Sequence, residues 1–256
     1  MGIRFASLGS GSKGNAWIVE SGNTRVMVDC GFAGREAERR LARLGLELDA
    51  IDALLITHEH SDHGRGAMRV ARAARCSAYM SHGCHAMLAA LGEAPDSVSI
   101  IGDRTSFAIG DIQITPYPVP HDAREPLQFV FTDGATRFGM LTDAGHVTAH
   151  MQAVLADCDA LALECNHDRE LLAGGRYPET LKRRIGGPYG HLDNAATADL
   201  LRRVRGPRLR QVVAAHLSQE NNRPELARAA LSGALDCSGD WIGVADQEQG
   251  LDWRTI

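Results

Sequence analysis

The chain lacks any apolar run near the ~18 residues that a membrane-spanning helix requires. Its first residues, Met1-Gly2-Ile3-Arg4-Phe5-Ala6-Ser7-Leu8, lack the apolar segment and cleavage site of a signal peptide, so a cytoplasmic location with no membrane partner is expected. Six cysteines (30, 76, 84, 158, 165 and 237) include no C-x-x-C pair and no framework spacing. They read as small, mostly buried thiols in a reducing compartment, which excludes a disulfide-stapled scaffold. There is neither a P-loop nor a G-x-G-x-x-G turn, which removes the usual signs of a nucleotide cradle. With no internal repeat, low-complexity tract or linker, residues 1–256 are expected to form one domain. A net charge of −5 argues, on average, against strong nonspecific binding to nucleic acid. Cations nonetheless gather in the last third, at Lys182-Arg183-Arg184 and along Arg202 to Arg210. These read either as the solvated face of a helix or as a phosphate-binding surface.

What the sequence does contain is Thr57-His58-Glu59-His60-Ser61-Asp62-His63-Gly64, closing the short apolar run Ala53-Leu54-Leu55-Ile56. Neutral imidazole and carboxylate suit a borderline divalent ion such as zinc, or manganese or iron. Chance matches to H-x-H-x-D-H in a chain of this composition number about 10⁻³. The run reads as a buried strand, and a helix is expected from Asp62 or His63 to Ala74. His58 and His60 then project from one side of an extended segment, with Asp62 and His63 facing the same cavity from the first helical turn. Two ligand sets on one segment suit two adjacent ions.

The same organisation recurs downstream. Strands are expected at 3–8, 16–20, 25–29, 77–80, 98–101, 105–109, 112–118, 129–131, 137–143, 160–164, 209–215 and 241–245. Several end in a candidate ligand: Asp29, His121, Asp143, Glu164 with His167, and His216. Chemistry-bearing side chains at the ends of sequence-distant strands build a site on a rigid scaffold. The turn Gly9 to Asn15, with Lys13, is either a plain hairpin turn or a backbone approach to an anion. His82 and His85 lie three apart on a helix capped by Ser81, with no further ligand nearby, and read as surface or packing residues.

The order Asp29, His58-x-His60-x-Asp62-His63, His121, Asp143, His216 resembles the five motifs of the metallo-β-lactamase fold superfamily. Within it, Gly9-Ser10-Gly11-Ser12-x-Gly14-Asn15, Pro120-His121-Asp122-Ala123, Glu164-Cys165-Asn166-His167-Asp168, Tyr177-Pro178-x-x-Leu181-Lys182-x-Arg184-Ile185, Gly190-His191-Leu192 and His216-Leu217-Ser218-x-x-Asn221-Asn222 resemble the YycJ (WalJ) branch, related to ribonucleases Z and J. Asp193 stands where that pattern leads one to expect Ser. The resemblance implies an α/β fold, a four-layer αββα sandwich with two divalent ions (Zn or Mn, or Fe) at one edge. His58, His60 and His121 would hold one ion; Asp62, His63 and His216 the other; Asp143 would bridge them, and Asp29 would orient the cluster from behind. His191 would act near the scissile phosphate, with Asp62 accepting a proton. His167, Lys182 and Arg184 would contact substrate.

The activity so implied is a phosphodiesterase acting on nucleic acid through a metal-bound hydroxide, foremost a 5′ to 3′ DNA exonuclease. One alternative keeps the metals and hydrolyses a small thioester, lactone or β-lactam, since one fold hosts many chemistries. Another is a metal-stabilised binding protein with an inert site.

Overall fold

The computed structural model describes residues 2–103 and 105–256. Apolar runs of three to seven residues form two sheets. The first contains β1 (Arg4–Gly9), β2 (Ala16–Ser21), β3 (Thr24–Val28), β4 (Ala53–Leu55), β5 (Ser77–Met80) and β6 (Val98–Ile100) in that spatial order. The second contains β7 (Phe107–Ile109), β8 (Ile112–Pro118), β9 (Leu127–Thr132), β10 (Arg137–Leu141), β11 (Ala160–Glu164), β12 (Gln211–Ala215) and β13 (Ile242–Val244), again in sequence order across the sheet. A last strand, β14 (Leu251–Thr255), returns to pair with β1.

Short turns such as Gly22-Asn23 make antiparallel neighbours, whereas helical crossovers make parallel ones. Strands β3, β4 and β5 are parallel, and so are β10, β11, β12 and β13. Their carboxyl ends therefore share one edge of the molecule, where loops carry side chains into a common cleft. Helices α1 (Gly34–Arg43), α3 (Ala67–Ala74) and α4 (His82–Ala90) bury Leu41, Val70 and Leu88 against the outer face of the first sheet. Helices α5 (Ala149–Leu155), α8 (Asn194–Val204) and α9 (Pro224–Leu235) bury Met151, Leu201 and Leu231 against the second. Between the sheets lies a third apolar layer with Phe5, Trp17, Phe129, Phe131 and Phe138. The result is the αββα sandwich.

Three elements depart from the sequence expectations. The helix expected to run unbroken to Ala74 is split into α2 (Ser61–Gly64) and α3. Gly66 lies at the break, donating its N–H to Cys30 O at 2.7 Å, and a Cβ there would come within 2.3 Å of Phe32 O. Close backbone approach, needed to seat the histidine segment on β3, breaks the helical run. Strand β14 and the short helix α6 (Arg169–Gly174), capped by Asp168, were also absent from the sequence reading. In β14 the alternation Leu251, Trp253 is diluted by Asp252, Arg254 and Thr255, which leaves too weak a period to detect.

Phe138 stacks on Phe5 across the sheets, ring centroids 4.1 Å apart and planes 8° from parallel. Removing a fully buried ring costs about 3–5 kcal/mol. Phe138→Ala is expected to lower unfolding free energy by that amount in denaturant titration; a loss under about 1 kcal/mol would place the core elsewhere.

Candidate metal centre

Each ligand candidate stands just past a strand. Asp29 follows β3, His58 to His63 follow β4, His121 follows β8, Asp143 follows β10, Glu164 ends β11 and His216 follows β12. Asp29 and His216 both adopt left-handed backbone, with φ of 60° and 54°. Non-glycine residues take this region rarely, and such strain concentrates where geometry is functional. The surroundings hold it in place: Asp29 N donates to Leu55 O at 2.7 Å, and His216 N donates to Ser10 Oγ at 2.9 Å.

Hydrogen bonds fix which ring nitrogens face the cluster. Asp29 is 2 % exposed; its two oxygens accept from Thr57 N (2.8 Å), Thr57 Oγ1 (2.9 Å) and His63 Nδ1 (2.8 Å). His63 thus keeps a proton on Nδ1 and turns Nε2 inward. The Thr57 hydroxyl, having donated to Asp29, accepts from His58 Nδ1 at 2.9 Å, and Gly190 O accepts from His121 Nδ1 at 3.0 Å. His216 Nδ1 faces Glu164 Oε1 at 3.3 Å. In these four rings Nδ1 is committed to an outer partner and Nε2 faces the cluster, where it offers its lone pair to a metal once any proton there has left.

The inner atoms fit cations. His58 Nε2 lies 3.0 Å from His60 Nδ1, which lies 3.3 Å from His121 Nε2. Tetrahedral ligation at Zn–N distances of about 2.05 Å places neighbouring nitrogens about 3.3 Å apart. Asp62 Oδ2 is 3.5 Å from both His63 Nε2 and His216 Nε2, giving a second trio. Asp143 spans the two, with Oδ2 at 3.2 Å from His63 Nε2 and Oδ1 at 3.8 Å from His121 Nε2. Asp143 Oδ2 and His216 Nε2 are buried without a hydrogen-bond partner. Carboxylate oxygens and ring nitrogens packed this closely and out of water are costly unless positive charge, as protons or as metal ions, lies among them. The residues therefore fit metal ions, and the His/Asp cluster is able to hold them.

Charge tells the same story. Burial lowers proton affinity at His58 and His121, and neighbouring histidines add to the effect. At His63 burial acts in the same sense but is outweighed by Asp143, Asp29 and Asp62, which raise the ring well above its ordinary range. At His216 burial is again outweighed, by Asp143, Asp62 and Glu164, and the ring is held up at about 10.

A family model described as the β-lactamase superfamily domain matches residues 24–217. The chain belongs to this superfamily. An exodeoxyribonuclease YycJ of Bacillus anthracis is 35% identical over 249 residues, covering 96% of this chain and 94% of the relative. An exodeoxyribonuclease WalJ of Streptococcus pneumoniae is 34% identical over 250 residues, covering 95% and 92%. Among solved structures, the metallo-β-lactamase fold protein YhfI of Bacillus subtilis superposes with a TM-score of 0.77 at 13% identity, over 99% of both chains. That likeness bears on the fold, which is the superfamily's sandwich.

On this superfamily scaffold the structure gathers His58, His60, Asp62, His63, His121, Asp143 and His216 within one cluster, with Asp29 behind it. His191 stands beside them, its Nδ1 3.4 Å from Asp143 Oδ1. Arg184 reaches the same cleft of about 370 Å³, where it pairs with Asp122 at 2.6 Å. Lys182 does not line it; its ammonium turns back to Ala173 O (2.7 Å) and Glu179 (3.0 Å). His167 is buried and lines a neighbouring cavity on the other side of His191, with Arg169 and Arg203. The cations between Arg202 and Arg210 do not form one surface. Arg208 and Arg210 precede β12 while His216 follows it, so they lie at the opposite edge, and Arg208 is tied to Asp159 at 2.8 Å. His82 and His85 join no cluster among the described residues.

Sequence reasoning gave no role to Glu164, although it noted this residue as a strand-end carboxylate. It is fully buried and accepts from His191 Nδ1 (2.7 Å), Ala144 N (2.9 Å) and Leu192 N (3.1 Å). It thereby fixes the His191 ring at the lining of the cleft. Its burial is outweighed by His191, which keeps the carboxyl below its ordinary range. Gly190 has to be glycine for the same loop, since a Cβ there would lie 2.1 Å from Ile185 O.

Because His216 retains a proton up to about pH 10, an entering metal must displace it. Calorimetric titration with Zn²⁺ in buffers of different ionisation enthalpy is expected to show proton release at pH 7. Affinity should fall about tenfold for each unit that pH is lowered, for each proton displaced. Binding without proton release, and unchanged between pH 6 and 8, would contradict the ligand assignment.

Proposed function

We propose that the chain is a metal-dependent phosphodiesterase that hydrolyses nucleic acid, foremost a DNA exonuclease working from the 5′ end with two divalent ions (Zn or Mn, or Fe). The observation that carries this is the full-length similarity to two proteins named exodeoxyribonucleases, joined to an intact ligand cluster. His58, His60 and His121 would hold one ion and Asp62, His63 and His216 the other, with Asp143 available to both. Bound divalent ions polarise a phosphate oxygen and bring water toward neutral pKa.

The chain's own groups supply the remainder. Asp62, the one ligand carboxylate with appreciable exposure at 23 % of its side chain, is placed to accept a proton from the attacking water. His191, held through Nδ1 by Glu164 at the lining of the cleft, stabilises or protonates the leaving oxygen. Arg184, at the cleft rim, exchanges Asp122 for a phosphate oxygen, and its planar fork suits that geometry. Hydrolysis of a small thioester, lactone or β-lactam uses the same metals, but neither full-length relative is named for such chemistry.

Purified protein with Mn²⁺ or Zn²⁺ is expected to release mononucleotides from 5′-labelled DNA. His191→Ala should keep its metal and lose at least about 10²-fold in rate, the usual worth of a positioned acid. DNA and RNA left intact while a thioester or lactone is hydrolysed would overturn the reading.

A further inference from the structure

The short helix α7 (Glu179–Ile185) has no buried residue, unusual for a segment carrying leucine and isoleucine. Leu181 and Ile185, four apart, share one face of the helix, and Tyr177, just ahead of it, lines the same cleft. That face does not pack into any of the three apolar layers. It lines the metal cleft, across from His60, Asp62 and His216. Polar anchors elsewhere hold the segment: Lys182 to Ala173 O, Arg184 to Asp122, and His191 N donating to Ile185 O at 2.8 Å.

One cleft thus has an anion-seeking metal wall and a facing apolar, partly aromatic wall. A nucleotide has the matching halves, a phosphate and a flat base. The volume of about 370 Å³ lies near the lower end of small-ligand sites, roughly 300–1,000 Å³, so it holds a nucleotide rather than a duplex. Aromatic stacking accepts any base because every base offers a π face. An exonuclease advancing along a strand needs that tolerance. An amide-rich wall reading base edges would stall on some sequences.

We propose that Tyr177, Leu181 and Ile185 form the base-binding wall of the cleft, against which an unpaired base stacks while its phosphate lies at the metal wall. This rests on the nuclease reading and names how that site takes its substrate. Tyr177 is a binding residue here, with no part in proton transfer.

The experiment is a cycle on the metal-loaded, full-length protein. Wild type, Tyr177→Ala and Tyr177→Phe are assayed on single-stranded DNA and on the same strand made abasic at the two nucleotides flanking the cleaved bond. On ordinary DNA, Tyr177→Ala is expected to raise KM about 5- to 150-fold, the span of base–aromatic stacking, with kcat little changed. Tyr177→Phe should keep a KM near wild type. On the abasic strand wild type should already show the raised KM, and Tyr177→Ala should add nothing. An equal penalty from Tyr177→Ala on both strands would mean a structural role and would overturn the wall, as would no penalty on either. Both results leave the nuclease reading standing. Failure of wild type to cleave either strand would overturn the reading and the wall together.

Discussion

Four carboxylates, those of Asp29, Asp62, Asp143 and Glu164, meet at one edge of the sandwich, and three of them are almost wholly out of water. Negative charge at that density is costly in a poorly solvated site unless cations neutralise it. The histidines alone do this only by taking protons, as the raised His63 and His216 show. Divalent ions do it better, and in doing so become the reagent. The remaining architecture can be read as what is needed to hold those charges together: parallel strands whose ends coincide, and an interlocked core that keeps the sheets in register.

The support runs outward from the ligands in ordered steps. Thr57 and Asp29 set the tautomers of His58 and His63, and Ser10 fixes the backbone of His216. Asn15 reaches from the β1–β2 loop to within 3.1 Å of His63 Nε2 and 2.9 Å of Gly11 N. The glycine-rich loop is therefore more than a hairpin turn: its Ser12 lines the cleft. Glu164 does for His191 what Asp29 does for His63. On the opposite side α7 accepts the His191 N–H through Ile185 O and turns Leu181 and Ile185 to the cleft, so one short helix both seats His191 and shapes the space before it.

Much of this was legible in the sequence because metal ligation restricts residue type and spacing together. His58-x-His60-x-Asp62-His63 after an apolar run has few other readings, and strand-end Asp29, His121, Asp143 and His216 repeat one local pattern. The features that escaped have weaker local signatures. Glu164 is a carboxylate ending an apolar strand, and its role depends on His191, Ala144 and Leu192, which only folding brings near. The break at Gly66 depends on a contact with Cys30 on another segment. The two readings of the arginines stayed open in the sequence because adjacency says nothing about which end of a strand they occupy. Arg184 falls at the cleft and Arg208 falls a strand length away.

The central claim is that strand-end ligands from the whole chain converge to hold two ions in adjacent sets. Anomalous diffraction from crystals of the Mn²⁺- or Zn²⁺-loaded protein tests it most directly. The account predicts two peaks per chain, one among His58, His60 and His121, the other among Asp62, His63 and His216, with Asp143 reaching both. A single peak, or peaks bound by Glu164 and His191 in place of these residues, would contradict it.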